Sequence, residues 1–370
     1  MSRGVFVLGM HRSGTSAATR LVNLLGIPTC VEDDLLPGTD DNPRGYWESA
    51  SLTAFNGRIF EAFESDWSCP LRLDFGWEDD PALAELRSEA RALFARVFPT
   101  EPWVWKDPRN CVTLPFWTAS LDVEPVVVLV HRNPLEIAAS LGARDGLGKV
   151  YCLALWERYL RSCLSAVSGL PTLVTTFDEI LDDPSAWCRG VRDFLGGVGV
   201  TTRKLAPNAL EYLDTELRHT QVTHEDVLAD PAVSSAQREL LGVLESLRAA
   251  HDTLTAPSLP EETPTTEALL SERRRVYPRE REYRELGGYS RSLGEHFVEL
   301  QRHSEGLGNQ FVEQRRYSEG LANQFVELQR NSENLWAQFQ ELQRYSDDLG
   351  QRFLALEKYA KELQKRSPAG

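Results

Sequence analysis

The chain has 370 residues, of which 42% are hydrophobic and 26% charged, and its formal net charge is −15 at pH 7. That length accommodates one domain of roughly 200 to 250 residues plus an appendage. The acidic balance excludes wholesale binding to nucleic acid or to an anionic membrane, so any anion site is local.

The first candidate strand begins at Gly4, and the longest apolar stretch, Val126–Val130, is far too short to span a bilayer. Cysteines at 30, 69, 111, 152, 163 and 188 form no C-x-x-C pair and have no histidine at zinc-ligand spacing. The expectation is a soluble, reducing, cytoplasmic protein without signal peptide, transmembrane segment, disulfide scaffold or metal site.

From Gly4 to about Gly199, short β-branched runs alternate with helical periodicity, the pattern of βαβ units on a parallel sheet. The predicted strands are GVFVLG at 4–9, WVWK at 103–106, PVVVLVH at 125–131 and TLVTT at 172–176, each a near-continuous apolar run suited to burial on both faces. Helices are predicted over 16–25, with Gly26 closing the first and Pro28 beyond it, and over 49–63, 81–97, 134–142, 147–166 and 184–195. The fold class is α/β: a P-loop-like, three-layer parallel sheet flanked by helices over residues 1–251.

Residues 252–282 are Pro- and Thr-rich and then charged, which is linker composition. Beyond them, over 283–366, a fourteen-residue repeat begins FVELQRHSEGLGNQ, FVEQRRYSEGLANQ. Fourteen is two heptads, so the segment is predicted to form a long C-terminal coiled-coil helix of roughly 120 Å at 1.5 Å per residue. With Phe297 at position a, the a sites alternate Phe297, Ser304, Phe311, Ser318, Phe325, Ser332, Phe339, Ser346, Phe353, and the d sites are Leu except Gln314. A slip of one heptad mismatches large and small layers, so the alternation fixes pairing in steps of two heptads. The expected partner is a second copy of the chain, making a homo-oligomer, or another coiled-coil protein.

The first strand runs into GMHRSGTS, residues 9–16. A nucleotide-triphosphate loop reads G-x-x-x-x-G-K-[ST]; here Gly9 and Gly14 keep the spacing, Thr15 stands where the Lys belongs, and Arg12 is the strong cation. Backbone N–H groups at a helix N-terminus, with the hydroxyls of Ser13, Thr15 and Ser16 and the Arg12 guanidinium, make an anion cradle. Without the Lys, and with no acidic strand end reading as a magnesium ligand, the pattern points to a metal-free donor rather than a triphosphate. A second cluster, VHRNPLEIAASLGARDG, places Arg132 at a strand's C-terminal end and Ser140 and Arg144 on one face of the following helix, as for a second phosphate. Lys106, in VWKDPRN, ends a strand on the same edge.

Two phosphate sites on one edge resemble the sulfotransferase family that uses 3′-phosphoadenylyl sulfate (PAPS). Arg12-Ser-Gly-Thr-Ser16 resembles that family's 5′-phosphosulfate loop, and HRNPLEIAAS its 3′-phosphate motif, with Arg132 and Ser140 at the family's separation. The KDP at 106–108 and Arg144 are most similar to the tyrosylprotein branch, whose Lys assists at the transferring sulfuryl group. The resemblance spans roughly residues 3–220. It implies a PAPS-dependent sulfotransferase acting on a hydroxyl-bearing acceptor without a metal, with Arg12, Ser13, Gly14, Thr15, Ser16, Arg132, Ser140 and Arg144 holding the donor. Catalysis would fall to Lys106, Arg12 and Glu48 in DDNPRGYWES, the Glu in the loop where that branch places one.

There are departures and rivals. The family's Tyr-Glu-Asp-Leu is matched by Phe177-Asp-Glu-Ile180, which keeps the aromatic and loses its hydroxyl, and Asp107 and Pro108 stand where the small-molecule branch has its His base. Glu48 has a plainer reading as a surface carboxylate at the start of the 49–63 helix, and Asp33, Asp34, Asp40 and Asp41 are rival bases. His11 reads as a loop-packing residue, His131 is ambiguous, and Arg218-His219 lie where a nucleotide cover would be. Tryptophans 47, 67, 77, 103, 105 and 117 read mostly as core, with Trp47 and Trp67 placed to stack an acceptor. Two other readings are a scaffold whose working part is the coiled coil and a small-molecule kinase.

Overall fold

The computed structural model describes residues 2–39, 42, 45–74, 76–206, 210 and 222–366. Its elements follow in chain order: β1 (Ser2–Leu8), α1 (Thr15–Leu24), α2 (Ala50–Glu61), α3 (Ala84–Val97), β2 (Val104–Lys106), α4 (Asn110–Ser120), β3 (Val123–His131), α5 (Pro134–Asp145) and α6 (Lys149–Ala166). Then come β4 (Thr172–Thr176), α7 (Phe177–Asp182), α8 (Pro184–Gly197), α9 (His224–Ala229), α10 (Ser235–Ser246), β5 (Ala250–His251) and α11 (Pro264–Arg366).

The strand order is β2-β1-β3-β4-β5. The first four are parallel, as the apolar runs predict, and the two-residue β5 adds an antiparallel edge beside β4. Side chains alternate across the sheet, so Phe6, Leu8, Trp105, Val127 and Leu129 pack with α2 to α6 on one face. Val5, Val7, Val104, Val126, Val128 and Val130 pack with α1 and α8 on the other. This is the expected three-layer α/β arrangement. It sets the C-terminal ends of β1, β2 and β3 side by side, with Lys106 in register with Val7 and Leu129 with Leu8.

The chain divides into two compact units, Met1–Glu282 and Tyr283–Gly370. Residues 264–282, read from composition as the end of a linker, are instead helical and packed within the first unit. Leu254, Leu270 and Tyr277 are buried there. Arg158 on α6 forks onto Glu262 (2.8 and 2.9 Å) and reaches Glu267 (2.6 Å). The threonines that gave the segment its linker look supply polar contacts: Thr263 N–H and the Thr266 hydroxyl both donate to Glu157 at 2.9 Å. Pro264 opens α11, where its missing N–H costs nothing. The second unit, taken by itself, is helix through Arg366.

Candidate active site

The loop after β1 turns tightly into α1 without a capping side chain. Gly14 caps α1 in a left-handed conformation (φ 92°) with no side-chain cap, so the first-turn N–H groups are not met by a capping side chain. A Cβ on Gly14 would fall 2.1 Å from the Phe177 ring, and one on Gly9 would fall 2.3 Å from the Val130 carbonyl; close approach requires glycine at both. Arg12 is held at φ 69°, uncommon for a residue with a side chain and typical of strain kept at functional sites. Ser13 is buried, and its Oγ has no hydrogen-bond partner among the described residues. A buried hydroxyl left this way is costly unless a ligand oxygen satisfies it.

The two arginine motifs meet. Arg12 Nε donates to Ser140 Oγ (2.8 Å), and Arg132 Nη1 donates to the Arg12 carbonyl (3.2 Å). Arg132 is steered by buried Glu136 (2.7 Å) and lies 4.8 Å over the Phe177 ring. Arg144 does not join this group in the described contacts: it bonds its neighbour Asp145 (2.8 Å) and lies 5.4 Å over Trp67.

Glu48 is neither at the surface nor a cap. The cap of α2 is Ser49, whose side chain accepts from Leu52 N–H. Glu48 is 7% exposed and Lys106 2%, and Lys106 Nζ donates directly to Glu48 Oε1. Burial pushes the Glu48 carboxyl above the usual carboxylate range, against the pull of the Lys106 ammonium. The Ser16 hydroxyl donates to the Tyr46 carbonyl (3.2 Å), tying the first turn of α1 to the segment that carries Glu48. Of the rival acids, Asp34 is committed to the start of α2, accepting from Ser49 Oγ and from Ser51 N–H (3.1 Å). Asp33 is exposed. Asp40, Asp41, Arg218 and His219 lie outside the described residues.

His11 packs between Trp67 (centroids 4.7 Å apart) and Tyr159 (5.5 Å). Its pKa is held well below the ordinary value by burial first, then by Arg109, Arg144, Lys106 and Arg12. The imidazole is therefore a neutral packing group, and four cations lie within electrostatic reach of it in a chain of strongly negative net charge. His131 is also buried, its pKa lowered to about 4 by burial. Trp103, Trp105 and Trp117 are core, whereas Trp67 faces the loop histidine and Trp47 lies under Arg20 at 4.7 Å.

Arg109 is the residue that sequence reasoning passed over. It stands in the VWKDPRN stretch, three places beyond Lys106. Asp107 is the reason it is ordered, accepting from its N–H (2.9 Å) and its guanidinium (3.1 Å). Asp107 also accepts from Asn56 (2.8 Å), which takes the Trp117 indole N–H (2.8 Å) and the Thr113 hydroxyl (3.0 Å). This buried network joins α2 to α4 beneath Lys106. Its only trace in the sequence is the acid–proline–arginine run after a strand.

Among the described residues no group of three or more His, Cys, Asp or Glu is placed to hold a metal ion, and no helix is long and apolar enough to cross a membrane. No family model matches the chain, and no curated protein matches it. Among solved structures it is similar to the sulfotransferase domain from the curacin biosynthetic pathway, with 14% identity over 74% of this chain and 97% of that one and a TM-score of 0.35. It is similar to the sulfotransferase domain of the Synechococcus PCC 7002 olefin synthase, with 17% identity over 73% and 94% and a TM-score of 0.34. A third is retinol dehydratase in a complex with retinol and PAP, with 15% identity over 75% and 80% and a TM-score of 0.28. At these scores the likeness carries no argument, and the chemistry rests on the residues of the site.

Proposed function

We propose that the first unit is a sulfotransferase that moves the sulfuryl group of PAPS to a hydroxyl of its acceptor. The observation that carries this reading is the buried Glu48–Lys106 pair at the end of β2, on the same sheet edge as a lysine-free phosphate loop and a second arginine–hydroxyl site. When bound, PAPS supplies an electrophilic sulfuryl group on a phosphate leaving group.

In this reading the Ser13 hydroxyl, which has no hydrogen-bond partner among the described residues, and the first-turn N–H groups of α1 cradle the 5′-phosphate. Arg132 and Ser140 hold the 3′-phosphate, Arg132 being pre-set by Glu136 and Phe177. Glu48 accepts the acceptor's hydroxyl proton, and its raised pKa makes it a stronger base than an exposed carboxylate. Lys106 and Arg12 offset charge on the sulfuryl and leaving phosphate oxygens. The acid–lysine pairing supports the likeness to the tyrosylprotein branch in catalytic groups, with Trp67 and Arg144 beside the acceptor.

Incubation with PAPS and a library of alcohols and phenols, read by mass for an added sulfo group, tests this. Transfer is expected in the wild-type protein and lost in Lys106→Ala. Turnover of magnesium-ATP with no sulfo product would move the chain to the kinases.

A further inference from the structure

The second unit presents its apolar residues outward. The a-site phenylalanines are 53% exposed at Phe339 and 68 to 70% at the other four sites, and the d-site leucines from Leu300 to Leu356 are exposed as well. A stripe of this extent on a single helix requires a cover. At roughly 150 Å² each, the phenylalanines alone bring one helix close to the ~800 Å² per partner of a stable interface. We propose that the cover is a second copy of the same helix, parallel and in register, forming a two-stranded coiled coil.

Three features of the e, g and d positions select that arrangement. First, Gln314 is the polar residue in a d column that is otherwise leucine. In register it faces Gln314 of the second copy, and the two amides satisfy one another. A staggered pair sets it against leucine, and an antiparallel pair against an a-site Phe or Ser, which leaves the amide at best half satisfied.

Second, each g residue of a parallel pair faces the e residue of the partner's next heptad, and along this helix their sizes compensate. Tyr289 faces Gly294, His303 faces Gly308, Tyr317 faces Ala322 and Tyr345 faces Gly350, whereas the smaller Asn331 faces Trp336. The Phe/Ser alternation tolerates a slip of one whole fourteen-residue repeat; the g and e residues do not. Such a slip sets Tyr317 or Tyr345, according to its direction, against Trp336. Gly294, Gly308 and Gly350 are therefore the seats of the partner's aromatic rings.

Third, the polar residues agree with this register: Gln310 faces Arg315 as a hydrogen-bond acceptor, and Arg352, which bonds Asp348 of its own helix at 3.0 Å, faces the opposite charge of Glu357. No two like charges are opposed at the g and e sites between His303 and Glu357.

The test uses the full chain. Its six native cysteines, at 30, 69, 111, 152, 163 and 188, are all buried, so a cysteine introduced on the helix is read without background. Ser304→Cys, Ser332→Cys and Ser346→Cys, each alone, are oxidised and run without reductant, and the wild type is weighed by light scattering at micromolar concentration. The expected result is a mass of two chains and a covalent dimer from all three variants, since each a-site cysteine meets its own copy within disulfide reach. Phe325→Ala is expected to raise the dimer's dissociation constant at least ~100-fold. A mass of one chain or of three overturns the proposal, as does a dimer trapped by at most one of the three cysteines, the antiparallel pattern. An unchanged dissociation constant in Phe325→Ala overturns it too.

Discussion

Exchange of Glu48 for Gln separates the proton acceptor from the shape of the site. Gln fills the same buried space, and its carbonyl still accepts from Lys106 Nζ as the Oε1 of Glu48 does, but it cannot take the acceptor's proton. Loss of a general base costs ~10²- to 10⁴-fold in rate, which is about 3 to 5 kcal/mol of transition-state stabilisation. The exchange also leaves the Lys106 charge, 2% exposed, against a neutral amide. A stability loss of about 2 kcal/mol is expected from the weakened charge-assisted hydrogen bond, too little to unfold a domain of this size.

The assay is kcat for sulfuryl transfer across pH, alongside calorimetric binding of adenosine 3′,5′-bisphosphate. Activity in the wild type rises as Glu48 loses its proton, so the acidic limb lies above the usual carboxylate range, because burial raises this carboxyl. In Glu48→Gln that limb disappears, while the affinity for the bisphosphate stays within a few-fold. The same shift makes the folded state bind this proton more tightly than the unfolded chain. Its contribution to stability therefore falls as pH rises from the unfolded value through the raised one. A Glu48→Gln protein with kcat within tenfold of wild type, or one that loses bisphosphate affinity as steeply as rate, refutes the assignment of Glu48 as base.

Ser140→Ala removes the acceptor of the Arg12 Nε bond (2.8 Å) and is expected to weaken bisphosphate binding about tenfold, the equivalent of one charge-assisted hydrogen bond, with little change in melting temperature. Gly14→Ala forces a Cβ to 2.1 Å from the Phe177 ring at φ 92°; a loss of at least ~2 kcal/mol in urea unfolding is expected from strain and overpacking together. His131 has its pKa lowered to about 4 by burial, so the unfolded chain binds this proton more tightly. Stability attributable to His131 is complete above pH ~6.5 and falls by roughly 3 kcal/mol as pH drops towards 4. Denaturant unfolding of His131→Gln beside the wild type at both ends of that window isolates the effect as a flatter pH profile. A chain ending at Glu282 is expected to keep a cooperative unfolding transition. One ending at His251 loses buried Leu254 and Leu270 and leaves Arg158 without its two carboxylates, which is expected to abolish that transition.

The sheet was legible because a parallel strand buried on both faces must be written as an apolar run, and β1, β3 and β4 are written that way. Helix α4 was not, because Cys111, Val112, Leu114, Phe116 and Trp117 are buried all round it and Pro115 interrupts it, which leaves no amphipathic period to read. The helix α10 carries both a Ser234–Gln237 capping box and an apolar face at Leu240, Leu241 and Leu244 and was passed over, whereas β5 is two residues long, below any periodic signal. At the site, the placement of the loop at 9–16 and of the HRNPLEIAAS stretch was legible because each directly follows a strand end, at Leu8 and at His131. The Glu48–Lys106 pair joins residues 58 apart in sequence, so although the resemblance named both, their contact, between the segment before α2 and the end of β2, appears only in the fold. Spacing placed Arg144 on one helix face with Ser140, but its contacts with Asp145 and Trp67 were not legible, because a helix face fixes direction and not partners.

The central claim is that the loop at Arg12 and the site at Arg132 are the two ends of one adenosine 3′,5′-bisphosphate site. Calorimetric titration of the wild type, Arg12→Ala and Arg132→Ala with that nucleotide tests it most directly. Micromolar or tighter binding to the wild type without added metal is expected, weakened at least ~10-fold in each variant. Binding of magnesium-ATP with no affinity for the bisphosphate, or bisphosphate binding that neither variant disturbs, would contradict it.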